Sequence, residues 1–244
     1  MKIEYRLLAL FAAMIISSNA GANAFYIRGD FAYSWVGDDQ TTSTSLVGIP
    51  MASATYQLSP DPVPLGQLGF GYSLDPYVRF DLTGSLTGTR VVYADCKGTS
   101  ACADDTSAGF DVNTSTLFVN GYYELSTLWT KAPTRWRPYV GIGLGSAYQY
   151  MSSVHTSVNV GGMPNVLSVD SNGQWQFAWR GMAGLAVLLT DNLFFDMSYV
   201  YMGAGEAESG TTAVLGPSTV VQLQKPLSMD MNAQEVYIGL RQQF

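Results

Sequence analysis

The sequence contains few of the residues that bind metals or carry catalytic chemistry. It has one histidine, His155, and two cysteines, Cys96 and Cys102, in 244 residues. A zinc site needs three or four cysteine, histidine or carboxylate ligands in one compact set. Two cysteines and one distant histidine therefore predict no metal site, and no cofactor-binding motif is present, so we expect no cofactor.

Charged residues are also scarce, and acidic residues outnumber basic ones. Lysine and arginine total 12 and aspartate and glutamate 19, which leaves a net charge of −7. Proteins that bind nucleic acids usually carry clustered basic residues, so this class of partner is excluded. Only 13% of the chain is charged whereas 47% is hydrophobic. Globular soluble domains have about 25% charged residues, so the composition favours a membrane protein.

Long apolar runs are absent beyond the N-terminus. The run Leu7–Ile16 follows Lys2 and Arg6 and precedes the small residues Ala22-Asn23-Ala24. This run is shorter than the roughly 20 residues that a transmembrane helix needs, and its flanks are typical of a secretion signal. We predict a signal peptide over residues 1–24 and a mature domain over 25–244. Cleavage after Ala20 or Ala22 is also chemically possible.

The rest of the chain consists of segments in which apolar and polar residues alternate. This period of two indicates β-strands with one apolar face. Short connections follow the second, fourth and sixth segments, and long ones follow the others. Bacterial outer-membrane barrels have this asymmetry, with short periplasmic turns and longer external loops. The eight segments are 26–35, 65–73, 77–93, 110–125, 138–151, 174–189, 193–204 and 234–244.

These features predict an all-β protein, an eight-stranded antiparallel up-and-down transmembrane β-barrel with four long external loops. Its location would be the bacterial outer membrane, in contact with lipid and lipopolysaccharide, and we expect a monomer. The alternative is an exported soluble barrel, which has an apolar interior and a wet exterior.

With apolar side chains facing lipid, the polar faces of the strands place a charge network in the lumen. An eight-stranded barrel is just wide enough for side chains to fill, and buried ions need partners. We expect ion pairs that plug the lumen; the alternative is a narrow porin whose ion path opens when pairs exchange. Gly141, Gly143 and Gly145 also point inward, and either make room for arginines or ease strand curvature. The predicted network contains Arg28, Asp30, Arg79, Asp81, Glu124, Arg180, Asp196, Glu235 and Arg241.

The remaining candidate sites lie in the predicted loops. Cys96 and Cys102 are expected to form a disulfide, because exported proteins meet oxidising conditions. His155 lies near Ser152 and Ser153, which raises the alternative of a lipid-modifying enzyme with a Ser-His pair, but no motif with specific spacing is present and we predict no enzyme. The long polar loops leave open a host or other surface ligand.

Four stretches resemble the small surface-antigen, or porin-like, outer-membrane barrel family of Gram-negative bacteria. Phe25-Tyr-Ile-Arg-Gly-Asp-Phe-Ala-Tyr-Ser-Trp35 resembles its first strand, and Arg137-Pro-Tyr-Val-Gly-Ile-Gly-Leu-Gly145 its fifth. Asp196-Met-Ser-Tyr-Val-Tyr-Met-Gly203 resembles its seventh strand, with Val200 where the family usually has arginine. Glu235-Val-Tyr-Ile-Gly-Leu-Arg-Gln-Gln-Phe244 resembles its closing strand.

The resemblance implies an OmpA/OmpX-type barrel that the outer-membrane assembly machinery inserts. It further implies a C-terminal aromatic assembly signal, formed here by Tyr237, Leu240 and Phe244. The function expected from it is non-catalytic: support of the envelope and display of surface loops, as in a surface antigen or adhesin.

Overall fold

A computed structural model describes residues 25–38, 40–47, 53–96, 107–125, 135–160, 163–216 and 218–244. The predicted signal peptide, Cys102 and the side chain of Cys96 lie outside the described residues, so the signal and the disulfide stay predictions. No helix in the described part of the chain is long and apolar enough to cross a membrane.

The described chain forms sixteen β-strands, as the alternating pattern predicts in kind though not in number. They are β1 (Phe25–Val36), β2 (Gln40–Leu46), β3 (Ser53–Pro60), β4 (Val63–Ser73), β5 (Val78–Thr87), β6 (Arg90–Cys96), β7 (Ser107–Glu124), β8 (Trp136–Val160), β9 (Met163–Val169), β10 (Asn172–Thr190), β11 (Leu193–Gly203), β12 (Glu206–Glu208), β13 (Thr212–Leu215), β14 (Thr219–Lys225), β15 (Ser228–Asp230) and β16 (Ala233–Gln243).

Eight of these strands close a barrel in which every neighbouring pair is antiparallel. Its order is β1–β4–β5–β7–β8–β10–β11–β16, and β16 pairs back to β1 over the whole of both strands. Each strand corresponds to one predicted segment, so the predicted all-β eight-stranded barrel is confirmed. The third segment was predicted to run to Tyr93, but strand β5 ends at Thr87 and a new strand begins at Arg90.

The predicted loops contain further strands. β2, β3, β6, β9, β13 and β14 pair with one another and with the upper halves of β7 and β8, which closes a second ring on top of the first. β12 and β15 form a separate two-stranded sheet. Backbone groups need hydrogen-bond partners, and long chain segments held side by side at a barrel rim can supply them to one another. We call this second ring the upper ring, and the eight-stranded barrel beneath it the lower barrel.

The two rings have opposite interiors. In the lower barrel the outward side chains are apolar, with Phe70 at 55% exposure and Ile142 at 71%, while Arg79 and Arg241 are among the largest fully buried side chains. The upper ring encloses an apolar core that includes Tyr56, Leu58 and Met229. The alternative of a barrel with an apolar interior and a wet exterior is therefore wrong for the lower barrel.

Candidate functional site in the barrel lumen

All nine charged residues of the predicted lumen network are buried inside the lower barrel, none more than 8% exposed. Alternation explains their common position, since residues two apart on a strand face the same side of the sheet. The structure divides them into three groups along the barrel axis. One group lies near the short turns, one lies at the centre, and Glu235 lies nearest the upper ring.

The central group is a hydrogen-bonded network built on Arg28 and Arg180. Arg28 makes a two-pronged contact with Asp30, from Nε to Oδ2 at 2.8 Å and from Nη2 to Oδ1 at 2.9 Å. Gln67 joins the two halves, donating to Asp30 Oδ2 at 2.9 Å and accepting from Arg180 Nη1 at 2.9 Å. Arg180 also donates to Asn120 Oδ1 at 2.8 Å. Charge-assisted bonds of this kind are the strong ones.

Asp81 is the hub of the central group. Asn120 Nδ2 donates to its Oδ1 at 2.6 Å and Arg28 Nη1 to its Oδ2 at 3.3 Å. The hydroxyls of Tyr26 and Tyr122 donate to it at 3.2 Å and 3.3 Å. An ionised carboxylate can accept about four such bonds. Both carboxylate oxygens of Asp81 therefore have hydrogen-bond partners, and the central group fills this part of the lumen with paired polar side chains.

Gly143 leaves the space that Arg180 occupies. A Cβ at this position would overlap the Oδ1 atom of Asn120 and lie 2.9 Å from Cγ of Arg180. Of the two roles that the sequence left open for the inward glycines, the structure assigns Gly143 the first, which is to make room for an arginine.

In the group near the short turns, Arg79 is surrounded mostly by aromatic rings. The guanidinium carbon of Arg79 lies 4.1 Å from the ring centroid of Tyr122 and 4.5 Å from that of Tyr139. Its nearest carboxylate oxygens, on Glu124 and Asp196, are each 3.9 Å away. Arg241 contacts Asp196 directly, from Nε to Oδ2 at 2.9 Å. Cation–π contacts account for much of the environment of Arg79.

Glu235 belongs to a third group that sequence reasoning described only in part. Tyr237 donates to Glu235 Oε2 at 2.8 Å, and Ser34 lies opposite Glu235 in the β1–β16 pairing. Arg90, which is 3% exposed, donates from Nη2 to Ser34 Oγ at 3.1 Å. Arg90 was missed because it lies on β6, a strand that the sequence merged with the preceding segment.

The polar residues that link the charges were missed as well. Gln67, Thr83 and Asn120 are buried and bonded to the arginines or to each other. Each lies at an inward position of its strand, so strand parity could have identified them. The predicted network omits them because it was built from charged residues alone.

Comparison with known proteins identifies the family. Residues 7–244 match the family described as outer membrane protein beta-barrel domain. The chain belongs to this family. It therefore lies in the outer membrane, and the exposed apolar belt of the lower barrel contacts lipid and lipopolysaccharide.

Two relatives and one solved structure illustrate the range of this outer-membrane family. Outer membrane protein PagN of Salmonella typhimurium is 31% identical over 151 residues, which are 58% of this chain and 57% of PagN. A putative adhesin of Rickettsia bellii is 20% identical over 215 residues, 86% of this chain and 87% of the adhesin. The outer membrane protein OprG from Pseudomonas aeruginosa has a TM-score of 0.55 at 18% identity and covers 91% of this chain and 96% of its own, a similarity of fold.

Membership of the outer-membrane family orients the layers. The short turns of such barrels face the periplasm and the long connections face outward. The group around Arg79 therefore lies at the periplasmic end, and the upper ring lies at the extracellular end. Tyr237, one of the residues of the predicted assembly signal, points into the lumen, whereas Leu240 is 38% exposed on the lipid side. Phe244 donates its backbone N–H to the carbonyl of Phe25 at 2.9 Å.

His155 of this outer-membrane barrel lies on β8, on the outer surface of the upper ring, opposite Ser168. Ser153 is exposed on the same face, with a left-handed φ of 56°. Within the described ranges, no group of three histidine, cysteine or acidic residues is close enough to hold a metal ion.

Proposed function

We propose that this outer-membrane barrel is a non-catalytic surface protein of the adhesin type. In this proposal the lower barrel anchors the protein in the membrane, and the outer surface of the upper ring contacts a host or other surface ligand. The observation that carries the proposal is the upper ring itself, a paired and internally packed platform at the extracellular end.

The packing of the upper ring supports a rigid binding surface. Tyr56, Leu58 and Val92 on neighbouring strands are each at most 1% exposed, and Met229 of the inner two-stranded sheet is 1% exposed. Buried apolar area stabilises by about 25 cal/mol per Å². A platform held in this way presents its outward side chains in one arrangement, which reduces the entropy lost on binding.

Charge on the upper ring favours a cationic or uncharged partner. Among the described residues of the extracellular part, the exposed charges are acidic apart from Lys225. Like charge opposes association and opposite charge accelerates it, so we do not expect a polyanionic glycan as the ligand. The exposed acidic residues are Asp38, Asp61, Asp95, Asp170, Glu206 and Asp230.

A small uncharged area on the outer face offers one place for contact. Val220 is 67% exposed on β14 and Val166 is 59% exposed on β9. Val214 of β13 lies between them, opposite Val220 in the β13–β14 pairing. Exposed branched side chains at the outer tip of a membrane protein have no lipid to cover them, so they are available to a partner protein.

The second candidate is a narrow porin, and the charged lumen is the observation that favours it. Against it, the central network has its hydrogen bonds satisfied, and an apolar core lies above it. Any ion path would have to break both layers. Display of a binding surface is therefore the better supported function, and conduction of ions through the lumen is the alternative.

The adhesin proposal is tested by binding of bacteria that express the protein to host cells, compared with bacteria that lack it. We expect binding to increase with expression and to fall when Val220 and Val166 are both replaced by glutamate. Thr41→Glu adds one negative charge, against two in the double variant, at an exposed position on β2. It is the control for added charge away from the two valines and should retain binding. Equal binding with and without the protein would exclude adhesion to the cells tested.

A further inference from the structure

The periplasmic end of the barrel contains a cavity that no part of the proposed function uses. Its volume is about 510 Å³, and it is bounded by the turn at Leu74–Tyr77, by Phe194 and Gln243, and by the side chains of Arg79, Glu124 and Arg137. Small-molecule sites in proteins are typically of this size, with a few polar groups that converge. The cavity is therefore large enough for a ligand and not merely a packing gap.

Arg79 is a buried cation whose hydrogen-bonding capacity is unused. Its side chain is 2% exposed, and within the described part of the chain none of Nε, Nη1 and Nη2 has a hydrogen-bond partner. The rings of Tyr122 and Tyr139 lie near its guanidinium but accept no conventional hydrogen bond there. Buried N–H groups are rarely left without a partner, because each costs about 1–3 kcal/mol. All five N–H bonds of this guanidinium are thus without an acceptor among the described residues, and the side chain that carries them lines the cavity.

The charges around the cavity determine whether its ligand is an anion or a cation. Among the described residues, the ion pairs of Arg79, Arg137 and Arg241 involve two carboxylates, those of Glu124 and Asp196. This cluster therefore carries one excess positive charge. Among the described atoms, Nη2 of Arg241 is also without a hydrogen-bond partner. The four unused donor nitrogens therefore outnumber the three unused oxygens, which are Oε2 of Glu124, Oδ1 of Asp196 and the hydroxyl of Tyr139.

The acidic residues at the mouth of the cavity do not change this balance at its inner end. Asp75 is exposed, and its Oδ1 accepts from the backbone N–H groups of Tyr77 and Val78, both at 2.7 Å. Asp191 is likewise exposed at the rim. Both are screened by water, whereas Arg79 is not.

From this geometry we propose that the cavity binds a small monoanion from the periplasm, held by Arg79 and Arg137. A carboxylate group suits the site best, because the planar guanidinium donates two parallel bonds to its two oxygens. The anion would neutralise the excess charge of the cluster and take up the unused donors. The site is at the opposite end of the barrel from the upper ring, so this proposal does not depend on the proposed adhesion.

The direct test is diffraction from crystals of the refolded barrel soaked in bromide, whose anomalous signal locates the ion. We expect a bromide peak in contact with the Arg79 guanidinium, and its loss when acetate is added at the same ionic strength. A peak that acetate leaves in place overturns the carboxylate preference and retains a halide site. Water in place of any bromide peak overturns the proposal.

Variants provide a second readout in solution through the acetate dependence of Tm at constant ionic strength. Arg79→Met should abolish the acetate-induced increase in Tm, and Arg137→Met should weaken acetate binding by about tenfold, the effect of losing one charge-assisted bond. Arg137 is 19% exposed, so this variant should fold even if Arg79→Met does not. Arg135→Met removes an exposed arginine at the same end that does not line the cavity, and should leave the response unchanged. A response that survives Arg137→Met in full contradicts the proposed site.

Discussion

Individual side chains supply the hydrogen-bond partners that buried charges in the lumen need. Asp81 accepts from Tyr26, Arg28, Asn120 and Tyr122, so its charge is shared among four donors on two other strands, β1 and β7. An unpaired ion in such a place would cost several kcal/mol. The uncharged partners are as necessary as the arginines, because they occupy the oxygen lone pairs that ion pairs alone would leave unused.

At this scale Gly143→Ala tests the fit of the central network. The added methyl group would meet Asn120 and Arg180, so we expect the bond between them to break and the free energy of unfolding to fall by about 1–3 kcal/mol. Urea unfolding of the refolded barrel in lipid measures the change. Gly181→Ala is the control, because nothing lies within 4 Å of a Cβ at that position. Equal stability of the two variants would show that the network tolerates the displacement.

Among the strands, the closing strand β16 has the most demanding position. It pairs with β1 on one side and β11 on the other, so the barrel cannot close without it. Its alternation also explains the two environments of the predicted assembly signal, with Tyr237 inside and Leu240 outside. The role of Tyr237, Leu240 and Phe244 in recognition by the assembly machinery stays a prediction.

Phe244→Ala separates recognition from folding. If Phe244 is a signal for the assembly machinery, its loss should reduce the amount of protein in the outer membrane several-fold. Spontaneous refolding of the purified variant into lipid should continue, because the bond from Phe244 to Phe25 uses the backbone N–H. Fractionation of membranes and heat-modifiable gel migration measure the two effects. Equal loss in both assays would assign Phe244 a structural role.

In the whole molecule, two layers of different chemistry follow one another along the barrel axis. A charged and hydrogen-bonded layer fills the lower barrel, and an apolar core fills the upper ring. Ions entering from the periplasm would reach the cavity near Arg79 and then meet both layers. One continuous set of strands therefore carries an apolar belt toward lipid, a charged interior and an apolar core at the extracellular end.

Single-channel recording of the refolded barrel in planar bilayers tests whether these two layers block ion flow through the lumen. We expect no steady openings for the wild type, and none for Arg28→Ala or Arg180→Ala, because each change opens only the charged layer. Heat-modifiable migration must first confirm that each protein is folded. Steady openings that change with either substitution would support the porin alternative instead.

The sequence by itself determined the class of fold, the membrane location and the inward set of charges. All three depend on strand parity and on segment length, which are local properties that the order of residues records directly. Removing Arg79 or Arg241 from water requires only that each lie on the polar face of its strand.

Tertiary structure alone decided the upper ring and the way the charges are shared. The strands β2, β3, β6, β9, β13 and β14 are short and interrupted by turns, and each is stable only because a distant segment supplies its backbone partners. Likewise, nothing in the sequence distinguishes Arg28, which is bound by carboxylates, from Arg79, which lies among tyrosine rings with its donors unused. Partner choice in the lumen depends on which strands the barrel brings face to face, and that is a property of the closed structure.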